Sequence, residues 1–304
     1  MIAVICNRHE MVKFLVSLGA NMEIPSKSEE TALVFAVHEQ NAAIVETLVH
    51  AGANVNHLDS TQENLLLRAV RMHRADVLRA LLSHETNDGV STAFIDSAFK
   101  EAVMQPVLTI LDFPCTQEGF EQLGVEELKQ VSRIDMIRRL IPMVSDCGLV
   151  SDHEVFGSCA RLHCTVAALN SDYHVCELLL RYGFAWSGGQ PNIRQSLVQL
   201  LLPLLNNESD WSFARLLIQT SDDRNLLKYV MLVVMWTIRT AWHVCPELRL
   251  LYEKLKFATD CLSKPLSLQD LCVIAARTRL RGRMWSKIDA LPLPSLLKGK
   301  LKLV

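Results

Sequence analysis

Along the first hundred positions, apolar residues fall in short blocks at helical spacing, and the blocks recur in pairs every 33 residues. Ala3-Val4, Ala36-Val37, Ala69-Val70 and Ala102-Val103 hold one phase of this period, Val12, Val45 and Leu78 a second, and Leu15, Leu48 and Leu81 a third. Gly19-Ala20-Asn21 returns as Gly52-Ala53-Asn54 before the third copy decays to Glu85-Thr86-Asn87. Polar tight turns such as residues 38–42 join the two blocks, so each unit is predicted to be a helix pair followed by a loop. Small Ala at the crossing lets the two helices approach, the aliphatics of the second helix bury against the neighbouring unit, and Gly52 suits the left-handed residue that ends a helix.

The run Thr31-Ala32-Leu33, Ala36-Val37, Ile44-Val45, Leu48-Val49 and Gly52-Ala53-Asn54-Val55-Asn56, closing on Asp59, resembles an ankyrin repeat. The resemblance implies an all-α, ankyrin-repeat α-solenoid that binds other proteins. Thr31-Ala32-Leu33-Val34 and Asn64-Leu65-Leu66-Leu67 depart from the family's Thr-Pro-Leu-His by lacking the Pro that starts the first helix and the capping His. Farther on, Ala167-Ala168, Cys176, Leu179-Leu180 and Gly183 repeat the spacing of Ala36-Val37, Val45, Leu48-Val49 and Gly52. Further units are expected around 102–111 and 125–141, and a last one with residues 197–205 and 211–218 as its helices, giving about seven in residues 1–222. Met1 falls inside the first helix of a unit, so a fragment, an alternative start or a missing upstream stack is expected. Ankyrin stacks recognise partners through loop tips and a concave helical face. The candidate contacts with an unknown protein substrate are therefore Ser26, Lys27, Ser28 and Glu29 in one tip and Asp59, Ser60, Thr61 and Gln62 in the next.

Residues 223–264 read as a helical spacer. From Pro265 the composition changes, with eight Lys/Arg against two acidic residues and leucines interleaved. Ser267 and Asp270 have capping-box spacing and mark a helix start. Leu268, Leu271, Cys272 and Ala275 then share one helical face with Ala276 at its margin, a compact stripe that a groove on another protein would accept. The string Ser267-Leu268-x-x-x-Cys272-x-x-x-Ala276, followed by Leu291-Pro292-Leu293-Pro294, resembles a SOCS box over residues 265–304. The resemblance to ankyrin-repeat and SOCS-box proteins implies a small three-helix SOCS box after the solenoid and a non-catalytic substrate receptor of Elongin B/C–Cullin-5 RING ubiquitin ligases. It implies that Leu268, Leu271, Cys272, Ala275 and Ala276 meet Elongin C, paired with Elongin B. It likewise implies that Leu291, Pro292, Leu293 and Pro294 select Cullin-5 and its RING partner. Val273 stands where a basic residue is common, and the tail lacks a tyrosine often found there. The alternative is an ankyrin scaffold whose C-terminal box only caps the stack.

Half of the 304 residues are hydrophobic, 6% are aromatic and 12 are Gly, which fits leucine-rich packed helices. A net charge of -2 gives no global reason to expect nucleic acid. Arg277, Arg279, Arg281 and Arg283, with Trp285 nearby, read as a solvated helix face. The nine cysteines are odd in number and include no Cys-x-x-Cys, which points to reduced thiols in a cytoplasmic or nuclear protein. Cys159, His163, Cys164, His174 and Cys176 match no standard zinc spacing, and no metal or cofactor is expected. The apolar runs 197–205 and 229–238 are about half the roughly 20 residues of a membrane span and read as buried helices. Phosphate-loop, nucleophile-elbow and zinc-protease motifs are all missing, so no enzymatic activity is expected.

Overall fold

The computed structural model describes residues 1–83, 90–105, 129, 131–144, 166–184, 216, 218–220, 224–241, 247–265, 267–279 and 288–302. The expected helices at 197–205 and most of 211–218, residues 106–111 and 125–128 of the expected middle units, Cys159, His163, Cys164, Arg281, Arg283 and Trp285 lie outside them. The regular structure among the described residues is helical, with one isolated antiparallel bridge between Leu58 and Asn64. The chain divides into two compact units, Met1–Ala102 with Leu128–Ser145, and Val103–Glu127 with Asp146–Val304.

In the first unit the helices come in pairs: α1 (Ile2–Ile5) with α2 (His9–Ser17), α3 (Ala32–His38) with α4 (Ala42–His50), and α5 (Leu65–Arg71) with α6 (Ala75–Leu81). The second helices stack, α2 on α4 and α4 on α6. The phases read from the sequence become the core: Ala36, Val37, Val45, Leu48, Ala69, Val70, Leu78 and Leu81 are all buried. Gly19 and Gly52 adopt φ +75° and +90°. The next residue closes each helix, with the amide of Ala20 donating to Leu15 O at 3.1 Å and that of Ala53 to Leu48 O at 3.0 Å.

The backbone also repeats where the side chains do not. Asn7, Gln40 and His73 stand 33 apart in the turns inside the three helix pairs, and all are left-handed at φ near 54°. Glu29 and Gln62, again 33 apart, are left-handed at the loop tips, at 63° and 61°. Two helix starts, of α4 and α5, are capped by asparagine, whereas Thr31 before α3 makes no side-chain cap. Asn41 Oδ1 accepts the Ile44 amide at 3.0 Å and Asn64 Oδ1 that of Leu67 at 2.8 Å, each satisfying an N–H that the helix start leaves open. Asn64 also donates to Ser97 Oγ at 3.1 Å, one period on.

At the N-terminal end of the stack, Met11, Phe14, Leu15 and Leu18 are exposed, whereas Leu48 and Leu81, the counterparts of Leu15, are buried. At the other end the repeat grammar changes. Helix α7 (Thr92–Met104) runs 13 residues and starts where the third loop tip would stand, although Ala102 and Val103 remain buried in it. Helix α8 (131–140) follows, tied on by Ser132 Oγ donating to His73 O at 2.8 Å and by buried Arg133 Nε donating to Ala102 O at 2.8 Å.

The second unit holds α9 (Val166–Arg181), α10 (Arg224–Ala241), α11 (Glu247–Ser263), α12 (Leu268–Arg279) and α13 (Ser295–Lys302). Helix α9 corrects one expectation. The register recovered at Ala167 predicts a helix pair, but a single helix runs through 169–173. That stretch contains no Gly or Pro to break it, and an internal turn in such a unit is imposed by neighbours that hold both helices. The second half does keep the repeat pattern: Cys176, Leu179 and Leu180 are buried, Gly183 has φ +87°, and the Phe184 amide donates to Leu179 O at 3.1 Å. Helices α10 and α11 pack side by side, and α12 packs with α13.

Candidate functional site

Both loop tips are built by one residue at the same phase. Ser26 Oγ accepts the amides of Ser28 and Glu30 at 3.2 and 3.3 Å, and the Ser26 amide donates to Glu30 O at 2.9 Å. Thirty-three residues later, Asp59 Oδ1 accepts the amides of Thr61 and Glu63 at 2.8 and 2.9 Å and the Thr61 hydroxyl at 2.6 Å, while the Asp59 amide donates to Glu63 O at 3.0 Å. Such closed loops project three residues each. Lys27, Ser28 and Glu29 are exposed, as are Ser60, Thr61 and Gln62.

Asp59 is a correction. Its side chain is 0% exposed, so the carboxylate is a loop organiser out of a partner's reach. The reason is local: two amides and a hydroxyl converge on Oδ1 and hold the side chain inside the loop, while buried Oδ2 makes no hydrogen bond and faces Arg68 and His38. Burial by itself raises the Asp59 carboxyl. The Thr61 hydroxyl, the two amides and Arg68, whose Nη1 lies 3.6 Å from Oδ2, outweigh it and hold the group below the ordinary carboxylate range. His38 Nε2 lies 3.8 Å from the same oxygen. Arg71 continues the row, pairing with Glu63 and, at 3.1 Å, with Glu101. The hydrogen bond to Glu101 is the main cause that raises the Arg71 guanidinium.

An open cavity of about 700 Å³ lies beside α4 and α6, lined by Glu46, Asp76, Arg79, Arg139 and Met143. Two of its charges are paired with residues outside the lining: Arg139 Nε reaches Asp135 at 2.9 Å and Arg74 Nη2 reaches Asp76 at 2.6 Å.

At the C-terminal candidate, α12 begins at Leu268 as the capping signal predicts, and the Leu271 amide donates to Ser267 O at 3.1 Å. Leu271 is 50% exposed, and Cys272 and Ala275 are exposed with it. The opposite side packs inward, where Val273, Ala276 and Leu291 lie against a small core of Ile288 and Leu301, joined by Tyr182. Three of the expected contact residues thus share an open face, while Ala276 turns to the inner side. The side chains of Leu268 and Asp270 lie outside the described positions. Pro292, Leu293 and Pro294 are exposed and Leu291 is half-buried. Pro294 leads into α13, its carbonyl accepting the amides of Leu297 and Lys298 at 3.0 and 3.1 Å.

Arg277 departs from the solvated face expected of the arginine run. It is 3% exposed and donates to Leu180 O, near the end of α9, and to Leu301 O, near the end of α13. Two helix C-termini collect partial negative charge, which makes their carbonyls natural receivers for a cation. Burial pushes this guanidinium down to about 10. The sequence carries a faint signal for this role: Arg277 sits one turn after Val273 and beside Ala276, on the side of α12 away from Leu271 and Ala275.

Paired helices, stacked second helices and loop tips that recur at one period define a helical repeat protein whose repeats present surfaces to other proteins. Residues 1–92 match the family of ankyrin repeats, in three copies, and repeats of that family are protein-interaction modules. A search of curated proteins gave no match to the chain. Among the described residues, no group of His, Cys, Asp or Glu is arranged to hold a metal ion, and no helix is long and apolar enough to cross a membrane.

Proposed function

We propose that this chain is a non-catalytic substrate-recognition subunit of an Elongin B/C–Cullin-5 RING ubiquitin ligase, with the ankyrin repeats holding the target protein and residues 265–304 acting as a SOCS box. The observation that carries this reading is the open face of α12. Leu271, Cys272 and Ala275 are exposed on a helix whose other side is committed to the chain's own core. A motif that resembles an Elongin C-binding box therefore keeps Leu271 and Cys272 exposed, and seating one leucine in a pocket is worth on the order of 1.5–3 kcal/mol. Prolines 292 and 294 stay outward on a chain segment they stiffen, so docking a cullin there costs little ordering entropy. The chain supplies position and no chemistry: it raises the local concentration of a substrate lysine near a charged conjugating enzyme. The free thiols of Cys6, Cys261 and Cys272 suit the cytoplasm, where such ligases work.

Co-purification with Elongin B and C is the direct test. Intact chain should retain both, and a Leu268→Ala, Cys272→Ala double variant should lose at least about ten-fold, equivalent to one buried side chain. Equal recovery from both would reject the assignment. Replacing the exposed residues Pro292, Leu293 and Pro294 with a flexible segment, and keeping Leu291 in its core position, should weaken Cullin-5 capture and spare Elongin; joint loss would point to collapse of the module. The second reading, an ankyrin scaffold without a ligase, is favoured by Val273, Ala276 and Arg277, which dock α12 onto the chain's own helices as a cap would. It predicts no Elongin recovery from intact chain.

A further inference from the structure

The run 229–238 reads from the sequence as a buried helix, and the structure corrects this. Helix α10 is buried on one side only. Leu227, Met231, Val234, Met235 and Ile238 are covered, and α11, which packs alongside, buries Leu255, Ala258 and Leu262. On the opposite side Tyr229, Leu232, Val233 and Trp236 are 52%, 46%, 38% and 69% exposed. At helical periodicity these four fall within about a 100° arc, centred away from the buried set. A helix apolar on both faces normally has cover on both, and Trp and Tyr side by side have the composition of an interface hot spot.

Charge tells what the cover is. Lys228 and Arg239 both lie on one border of the stripe, and eleven residues of helix separate them by about 16 Å, three turns. Residues 224–264 contain seven Lys/Arg against three Asp/Glu in a chain of net charge -2, so the excess is local. We propose that Tyr229, Leu232, Val233 and Trp236 form a docking site for an amphipathic helix of another protein, whose apolar i, i+3, i+4, i+7 face is edged by acidic side chains. Such a helix seats its apolar ridge on the stripe and sets a carboxylate about every three turns against Lys228 and Arg239. A second copy of the chain fits less well, because an antiparallel two-fold pairing of this stripe lines one edge with four cations. A lipid surface fits less well too, since stable adsorption to anionic headgroups needs more than two bordering cations. These residues belong neither to the loop tips nor to α12, and the inference does not depend on the ligase reading.

The test uses the full chain and a labelled synthetic helix of about eighteen residues, long enough to hold helical structure. It carries leucines at the stated spacing and a border of glutamates; a twin peptide carries lysines instead. The acidic peptide should bind at least about ten-fold more tightly at low salt, with the preference lost in high salt. Trp236→Ala should weaken it by about ten-fold or more while leaving the circular dichroism and Tm unchanged, since the side chain is exposed. Lys228→Glu with Arg239→Glu should reverse the preference toward the lysine peptide, a gain that an unfolded variant cannot imitate. Equal binding of the two peptides, no saturable binding up to about millimolar peptide, or indifference to Trp236→Ala overturns the proposal. So does dimerisation of the chain that Trp236→Glu abolishes, which assigns the stripe to a second copy. Co-flotation with equimolar phosphatidylserine–phosphatidylcholine vesicles that Trp236→Ala abolishes, without peptide binding, assigns it to lipid.

Discussion

Asp59 and Arg277 are charged side chains that the fold takes out of water, and each does so by giving the charge several partners at once. Asp59 gathers two amides and a hydroxyl on one oxygen and stands 3.6 Å from Arg68 on the other. Asp59→Ala leaves the Thr61 and Glu63 amides without their acceptor and is expected to cost about 1–3 kcal/mol, read by chemical denaturation. The same carboxylate gives a pH dependence of known sign. Its folded value lies below the unfolded one of about 3.9, so its stabilisation is fully present above that pH and is lost as pH falls through the folded value. In Asp59→Asn the fall of stability in acid, below about pH 5, should flatten by this one group. A variant with wild-type acid sensitivity would mean that the carboxylate contributes nothing. Arg277 follows the same logic with opposite charge, spanning the carbonyls of two helix ends.

At the scale of the element, the repeat turns are left-handed at residues other than glycine. Gln62 is the clearest, being exposed at a loop tip with φ 61°. A side chain in that conformation costs about 1 kcal/mol or more, and glycine at the same place gives part of it back through greater freedom of the unfolded chain. Gln62→Gly should therefore raise stability by up to about 0.5–1 kcal/mol, a gain visible as a higher Tm; a fall would show that the loop does not hold this conformation. Gly19, Gly52 and Gly183 were legible as helix ends because glycine advertises its φ. Asn7, Gln40 and His73 were not, because nothing in those side chains demands a left-handed backbone; the neighbouring helices impose it. Helix α9 is the same lesson reversed: residues 169–173 occupy the turn phase yet continue the helix.

For the whole molecule, a repeat stack buries a residue according to its neighbours, so equal positions have unequal weight. Leu15 and Leu48 share a phase, but Leu15 is exposed at the open end of the stack and Leu48 is enclosed between α2 and α6. Leu48→Ala should cost about 2–5 kcal/mol, against less than about 1 kcal/mol for Leu15→Ala, measured on the same unfolding transition. Similar losses at both sites would mean that the open end is covered in solution. The three candidate surfaces follow from this geometry. Loop tips project because their organisers are buried, α12 is open on one side because its other side is spent on Ile288 and Leu301, and α10 is open because α11 covers only one of its two apolar faces.

The sequence alone determined the period of 33, the faces that the repeated aliphatics share, the glycines that end helices and the start of α12, since each depends on spacing or on one residue's own preferences. Tertiary structure decided which shared faces are covered: that Asp59 and Arg277 turn inward, that Ala276 leaves the stripe of Leu271, Cys272 and Ala275, and that Trp236 stands in solvent. The physical reason is that periodicity states which side chains lie together on an element, whereas burial depends on what another part of the chain places against them.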